Sequence, residues 1–423
     1  MLPKLKILMV STEYPPMHGG VGRYTENLVK SLLLRGLEVD VVSDSHGAGR
    51  YHGLSPYKRK NLNSNVLTAL IKKIMPDIVH VQHEHGLYYY NQNPIYPLQS
   101  YTGLDDFYER CNVPIVTTFH TSMYFKQWMQ LVNVSKKKKD LLNLKTYYKL
   151  WRQFINYHKF HSINRHIMAK SSCGIVFSNY LRQLIPDTTV VYHGSEPFCQ
   201  TVISKAEARN KLRLPQNGRL ALAQGFFTNT KGWDMIKKIQ MPKNWKLVIN
   251  FSKNFYNKEN IEIKLPEKNI INLNKDYLTE EELSLLLFAV DALFLPYKVS
   301  SGSGTMFDGL GHGKPFIASD LGFFREFSNM NLGIVSKRDP KSFERVFMEL
   351  DQNYQKFELH AKEFGRKILW DNIARQHIQI YTNLAEKAKI SMGVTHFHSE
   401  DSLYNKITAP KPIHKDINNK LSP

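Results

Sequence analysis

A chain of 423 residues is too long for one hydrophobic core, so two domains of ordinary size are expected. Hydrophobic residues at 42% and aromatics at 12% exclude a disordered or fibrous chain. The 57 Lys and Arg against 37 Asp and Glu leave a formal charge of +20, which favours anionic partners: nucleic acid, anionic lipid or phosphorylated sugars. Cys111, Cys173 and Cys199 are too few and too far apart for a disulfide framework or a cysteine zinc site, which points to a reducing compartment. The first apolar run is shorter than a signal segment, and no run reaches the roughly 18 apolar residues of a membrane span. The expectation is a cytoplasmic protein, peripheral at most on the inner face of a membrane.

Apolar runs alternate with amphipathic stretches along the chain. Residues 6–11 read as a buried strand, and 22–35 as a helix with Tyr24, Leu28 and Leu32 on one face and Gly36 as its stop. Further strands are expected at 38–43, 77–82, 114–119, 174–178 and 189–193. This is the pattern of βα units around a parallel sheet. It then restarts, with strands at 219–224, 246–251, 270–273, 292–296, 316–319 and 333–335 and helices at 231–239 and 279–289. The second of these helices opens on the capping sequence Thr279-Glu-Glu-Glu282. The polar stretch 195–217 is a candidate hinge. The expected division is 1–200 and 201–369 as two Rossmann-like, doubly wound domains of an α/β chain. Residues 370–388 would be a terminal helix and 389–423 a polar tail. Ligands of such sheets gather at the carboxyl ends of the strands, so the chemistry is sought just after each strand.

After the first strand, Gly19 and Gly20 allow a close backbone approach, and Gly22 opens a helix whose free N–H groups suit an anion. A turn needing positive φ is the alternative. His120 follows the 114–119 strand, where an imidazole either bonds a substrate hydroxyl or phosphate or serves the structure. His80, His83, Glu84 and His85 form a dense cluster. Their spacing matches no established metal site and there is no H-E-x-x-H, so residues lining a cleft are the better reading. Lys231, at the mouth of a helix, is a point charge suited to a leaving diphosphate or an ordinary helix-start lysine. The loop carrying Ser300, Ser303, Gly304 and Thr305 presents backbone N–H groups at a helix start. Asp308, one turn further on, either accepts from ribose hydroxyls or caps the helix.

The order and spacing of these motifs resemble the family 4 glycosyltransferases, retaining enzymes of the GT-B fold, from about residue 6 to 381. The carriers are the 13–22 loop, Pro76-Asp-Ile-Val-His80, Thr-Phe-His-Thr around His120, Ser178-Asn-Tyr-Leu, Tyr192-His-Gly194, Lys231-Gly232, Gly313-Lys-Pro-Phe-Ile-Ala-Ser319 and the helix over 370–381. The resemblance implies that Gly19, Gly20 and Lys231 bind the donor diphosphate and that His120 contacts the donor sugar or its phosphate. Asp308 would hold the ribose, the backbone near 273–275 would meet the base, and the terminal helix would cross back onto the first domain. Two positions depart from the family. Ser300 stands where the first acid of a two-acid motif is expected, and Phe226 where an arginine is expected before the lysine. Arg23 and Lys298 are the candidates to replace the lost charge.

The expected function is a retaining transfer of a hexose from a nucleotide-sugar to a hydroxyl acceptor. That acceptor is a glycan, a lipid-linked sugar or a cell-surface glycan precursor. No D-x-D is present, so neither metal nor cofactor is expected. A catalytically silent GT-B partner protein and an epimerase-like enzyme are the alternatives. Residues 126–170 carry eleven Lys or Arg against the single acid Asp140, half of the whole charge excess. Leu141, Leu144, Tyr148, Trp151, Ile155 and His158 recur there at helical spacing. A basic helix with aromatics suits an anionic membrane, and an ordinary amphipathic helix is the alternative. Nucleic acid is not expected, because no binding module is present.

Overall fold

The computed structural model describes residues 5–56, 62–88, 102–132, 144–198, 203–253, 269–273 and 275–391. Among them, the first half of the chain forms β1 (Lys6–Val10), β2 (Glu38–Asp44), β3 (Tyr51–Leu54), β4 (Ile78–His83), β5 (Ile115–Phe119), β6 (Cys173–Val176) and β7 (Thr188–Val190). They make one sheet in the order β3-β2-β1-β4-β5-β6-β7. The second half forms β8 (Arg219–Phe226), β9 (Trp245–Ser252), β10 (Ile270–Asn272), β11 (Ala292–Leu295), β12 (Phe316–Ser319) and β13 (Gly333–Ser336), in the order β10-β9-β8-β11-β12-β13. Every pairing in both sheets is parallel.

The strands are continuous apolar runs because helices cover both faces of a parallel sheet. All of β4 and β5 is buried. Helix Gly20–Leu34 lays Tyr24, Leu28 and Leu32 on the first sheet, each no more than 1% exposed. Gly36 ends it at φ +84°, a left-handed conformation that glycine adopts without strain. Helix Glu280–Ala289 has the expected capping box: Thr279 Oγ1 accepts from the Glu282 N–H, and the Glu282 side chain accepts from the Thr279 N–H.

One expectation needs correction. Residues 231–239 are not one helix. A 3-10 turn, Asn229–Lys231, is separated from the short helix Trp233–Ile236 by Gly232 at φ +77°. A Cβ at Gly232 would fall 1.9 Å from the carbonyl oxygen of Pro296, so the chain breaks where it presses against the end of β11. The stretch 195–217, the candidate hinge, is in part helical. It holds the helix Lys205–Lys211, capped by Ser204 and Glu207, whose Arg209 donates to the buried Asp291 carboxylate at 2.7 Å.

Helix Trp370–Ser391 returns to the first domain and packs on helix Gly20–Leu34 and β4. It is held at its start by the Trp370 N–H, which donates to Glu196. Its ring also leaves room only for glycine at 194, where a Cβ would meet it at 2.4 Å. Further along, the Tyr381 hydroxyl and His80 Nδ1 are hydrogen-bonded at 2.6 Å in the core. Residues 392–423, most of the expected tail, lie outside the described residues, as does Cys199. No described helix is long and apolar enough to cross a membrane.

The two anchors of the returning helix predict different costs. Tyr381→Phe leaves a buried imidazole nitrogen unpaired and lowers stability by about 1–3 kcal/mol. Arg35→Ala removes an exposed ion pair with Asp371 and costs less than about 1 kcal/mol. Urea unfolding of both variants, followed by tryptophan fluorescence, measures the contrast.

Candidate active site

The carboxyl ends of the two sheets face each other across a cleft, and one cavity is lined from both sides. The first domain contributes Gly19, Gly20, Arg23 and Tyr24, and the crossing segment His193. The second contributes Gln224, Gly225 and Phe226 at the end of β8, then Lys231, Tyr277, Gly304, Thr305 and Asp308.

The sequence candidates fall into three groups. Gly19, Gly20, Lys231, Gly304, Thr305 and Asp308 all line this cavity. Ser303 sits one layer behind, as the cap of helix Gly304–Gly311: its Oγ accepts from the Met306 N–H, and the Tyr297 hydroxyl lies 3.3 Å from it. Ser300 and His120 are not among the lining residues. Ser300 is buried, its hydroxyl donates to the Gly302 carbonyl, and its own carbonyl accepts from Gln127 of the first domain. His120 stands behind Tyr24 with ring centroids 5.4 Å apart, its Nε2 bonded to Gln82 at 2.9 Å.

Lys231 is aimed by its surroundings. Its Nζ donates to the Tyr297 hydroxyl at 2.7 Å and lies 4.1 Å from that ring's centroid. Gly225, at φ +130°, leaves open the space between Lys231 and the Thr305 hydroxyl, and a Cβ there would sit within 3.9 Å of both. Lys231, the amide-bearing start of helix Gly304–Gly311 and Asp308 therefore converge on one small volume. Lys298 turns away to Asn229 at 2.6 Å and Asp234 at 3.4 Å.

The glycine loop differs from expectation. The helix start that would have offered free N–H groups is already occupied by a carboxylate: Glu13 Oε1 accepts from Gly22 N at 2.8 Å. Gly19 packs so tightly on it that a Cβ would fall 1.8 Å from the Glu13 carboxyl carbon. Burial raises the Glu13 pKa, and its bonds to the Gly22 and Val21 amides partly oppose this.

Arg23 crosses the cleft. Its Nε and Nη2 fork onto Glu280, the latter at 2.7 Å, and its Nη1 donates to Asp308 at 2.7 Å. Above it the His18 ring stacks on Tyr277 at 4.0 Å, and Tyr277 in turn faces Phe226 at 6.1 Å. Of the 273–275 segment expected to meet a base, Asn274 lies outside the described residues. The lining residues near it are Tyr277 and Leu278.

The histidine cluster does not line the cleft as a unit. His80 and His83 are at most 1% exposed, inside β4. His80 bonds Tyr381 and Thr118, and His85 bonds Asn164 at 2.9 Å. Among the described residues no three His, Cys, Asp or Glu side chains converge as a metal site. Burial pushes the His83 pKa down to about 4 and that of His120 down to about 3. Glu84, bonded to the Thr121 hydroxyl, goes the other way, raised by burial to about 7. Arg23, Tyr277 and His193 were not among the predicted donor contacts. Arg23 had entered only as a replacement charge. His193 stood inside a family motif, while Tyr277 carried no motif signal.

Two comparisons with known proteins bear on this arrangement. Residues 18–189 match the family described as Glycosyltransferase Family 4. Among solved structures, sucrose-phosphate synthase from Thermosynechococcus elongatus superposes with a TM-score of 0.61 at 15% identity, covering 90% of this chain and 100% of that one. HepE of Anabaena in complex with UDP gives 0.55 at 12%, covering 90% and 100%. The catalytic domain of starch synthase IV from Arabidopsis thaliana, bound to ADP and acarbose, gives 0.55 at 12%, covering 90% and 99%. No curated protein matches the chain in sequence. Residues 18–189, most of the first domain, are thus similar to that glycosyltransferase family, and the chain as a whole has the two-domain GT-B fold of these structures.

The buried neutral histidines set a pH dependence. Their folded pKa values lie below the ordinary 6.5, so their contribution is present above that value and is lost as pH falls towards 4. Glu84 has the opposite sign, contributing fully below the ordinary 4.5 and losing its contribution as pH rises through about 7. Denaturant unfolding at stepped pH values below 6.5 will show stability falling. His120→Asn will lower the slope by up to one proton, about 1.4 kcal/mol per pH unit.

Proposed function

We propose that the chain is a retaining glycosyltransferase that moves a hexose from a nucleotide-diphosphate sugar to a hydroxyl acceptor. The observation that carries this reading is the convergence of Lys231, the start of helix Gly304–Gly311 and Asp308 in one cavity between the sheets. A cation and oriented amides suit a diphosphate, and a carboxylate one turn along the helix suits a ribose. HepE, of the same fold, was solved with UDP and with UDP-glucose, which supports a nucleotide-sugar donor.

In the proposed reaction the bond from the anomeric carbon to the diphosphate oxygen breaks. The acceptor oxygen bonds that carbon on the same face, and its proton passes to the leaving diphosphate. Lys231 and the helix amides meet the charge that develops on the leaving group, with no metal ion required. The rival reading, a silent partner protein, draws on Ser300, whose hydroxyl is turned to Gly302, and on the uncharged Phe226.

A lipid-linked acceptor is part of the proposal. Helix Leu144–Lys170 leaves Tyr147, Tyr148, Trp151 and Phe154 each about half exposed, beside Lys149 and Arg152. Phe125 and Lys126 of the adjoining helix Phe125–Leu131 are also exposed. A core face would have buried these rings, whereas aromatics flanked by cations suit the interface of an anionic bilayer. Lys136 to Lys139, the densest part of the basic stretch, lie outside the described residues.

Thermal unfolding with UDP, GDP and ADP, each with and without EDTA, tests the donor. A ligand at about 100 times its dissociation constant adds roughly 2.7 kcal/mol. One diphosphate will raise the midpoint with or without EDTA, and Lys231→Ala will weaken its binding at least tenfold. Turnover of a sugar donor, with NMR of the product's anomeric configuration, separates the enzyme from the silent partner and retention from inversion. For the surface, the protein will pellet with anionic vesicles at low salt and not with neutral ones. Trp151→Ser with Arg152→Glu will abolish the pelleting, and equal pelleting on both vesicle types would sink the docking idea.

A further inference from the structure

We infer that Arg23 is the second cation of the donor diphosphate site, supplied from the opposite domain and released to the phosphate when a ribose takes Asp308. This rests on the reading of the cavity as a nucleotide-diphosphate site.

Four observations lead to it. Phe226 stands where the resemblance places an arginine, and its ring faces Tyr277, so that position offers no charge. Lys298 is engaged with Asn229 and Asp234 and is not among the residues lining the cavity. The amide of Gly22 is occupied by Glu13, so the start of helix Gly20–Leu34 already carries a carboxylate. Arg23 lines the cavity with Lys231, and only a fifth of its side chain is exposed.

The geometry of its partners shows how the charge is delivered. Glu280 holds Nε and Nη2 together, which fixes the plane of the guanidinium. Asp308 holds only Nη1, through a single bond. A ribose whose hydroxyls donate to the Asp308 carboxylate competes with that one bond. Nη1 then turns to the nearest acceptor in the cavity, a phosphate oxygen, while Glu280 still anchors the rest of the group. No charge has to move far. The ribose contact and the phosphate contact are thereby coupled through one arginine. A bare nucleoside gains nothing from the exchange, because it offers Nη1 no new acceptor.

The test is titration calorimetry with the nucleoside, its monophosphate and its diphosphate, using the base selected by the thermal panel. Wild type, Arg23→Gln, Arg23→Lys and Lys231→Ala are compared. Arg23→Gln is expected to weaken the diphosphate at least tenfold and the monophosphate less. It should leave the nucleoside unchanged or tighter, since Asp308 is then free. Arg23→Lys is expected to recover part of the diphosphate affinity, because a point charge restores attraction without the fork. Equal losses for all three ligands, or no recovery with lysine, would overturn the inference and leave Arg23 as a strut between domains. Tight binding of the diphosphate by Arg23→Gln would also overturn it. If the wild type binds no diphosphate at all, the reading of the site fails and the inference fails with it. If Lys231→Ala loses the diphosphate while Arg23→Gln keeps it, only the inference fails. Far-ultraviolet circular dichroism of each variant verifies its fold.

Discussion

Parallel strand pairing is the constraint from which the rest of this structure follows. When every strand of a sheet runs the same way, every carboxyl end lies on one edge, and so do the turns that follow. In the first sheet that edge carries the glycine loop after β1 and His120 after β5. In the second it carries Gly225 at the end of β8, Lys231 beyond it and the serine-glycine loop after β11. Facing the two edges toward each other brings residues from distant parts of the chain to one cavity. The crossing segment and the returning helix run together at the junction, tied by the Ser195 N–H to the Ile368 carbonyl and by Trp370 against Gly194.

The charges in the cleft are arranged so that none is left alone. Glu13 sits on a helix start, Arg23 between two acids, and Lys231 against a tyrosine hydroxyl and ring. Burying an unpaired charge is costly, so each of these groups has a resident partner that an anionic or hydroxylic ligand could replace. The aromatic line from His18 through Tyr277 to Phe226 gives the same cleft a flat, neutral wall. Behind these lies a layer of buried histidines, His80, His83 and His120, whose pKa values desolvation pushes down. Their hydrogen bonds to Tyr381, Thr118 and Gln82 knit the two central strands of the first sheet to the returning helix.

Much of the fold was legible because apolar runs and helical periods are local. The strands β1, β2, β4 and β5 and the face of Tyr24, Leu28 and Leu32 could be read from a few residues each. The broken helix at 231–239 could not, because Gly232 takes its left-handed turn against Pro296, sixty-odd residues away. The long basic helix was legible as a helix. Which of its side chains were covered depended on tertiary partners: Ile163 and Ile167 join the main core, Phe160 packs with Met123 and Val299, and Trp151 stays half exposed.

By itself, the sequence determined the alternation of strands and helices, the glycine turns, the cap at Thr279, and the residue types available at each strand end. It also determined that Ser300 and Phe226 could offer no carboxylate and no cation. Tertiary structure decided which of those residues meet. It put Lys231 and Asp308 in one cavity and left His120 and Ser300 behind its wall. It filled the first helix start with Glu13 and chose Arg23 over Lys298 to face the cleft. The reason is that side-chain identity and period are properties of neighbours along the chain. Charge pairing across a cleft depends instead on how two sheets, formed from separate halves of the chain, come to face each other.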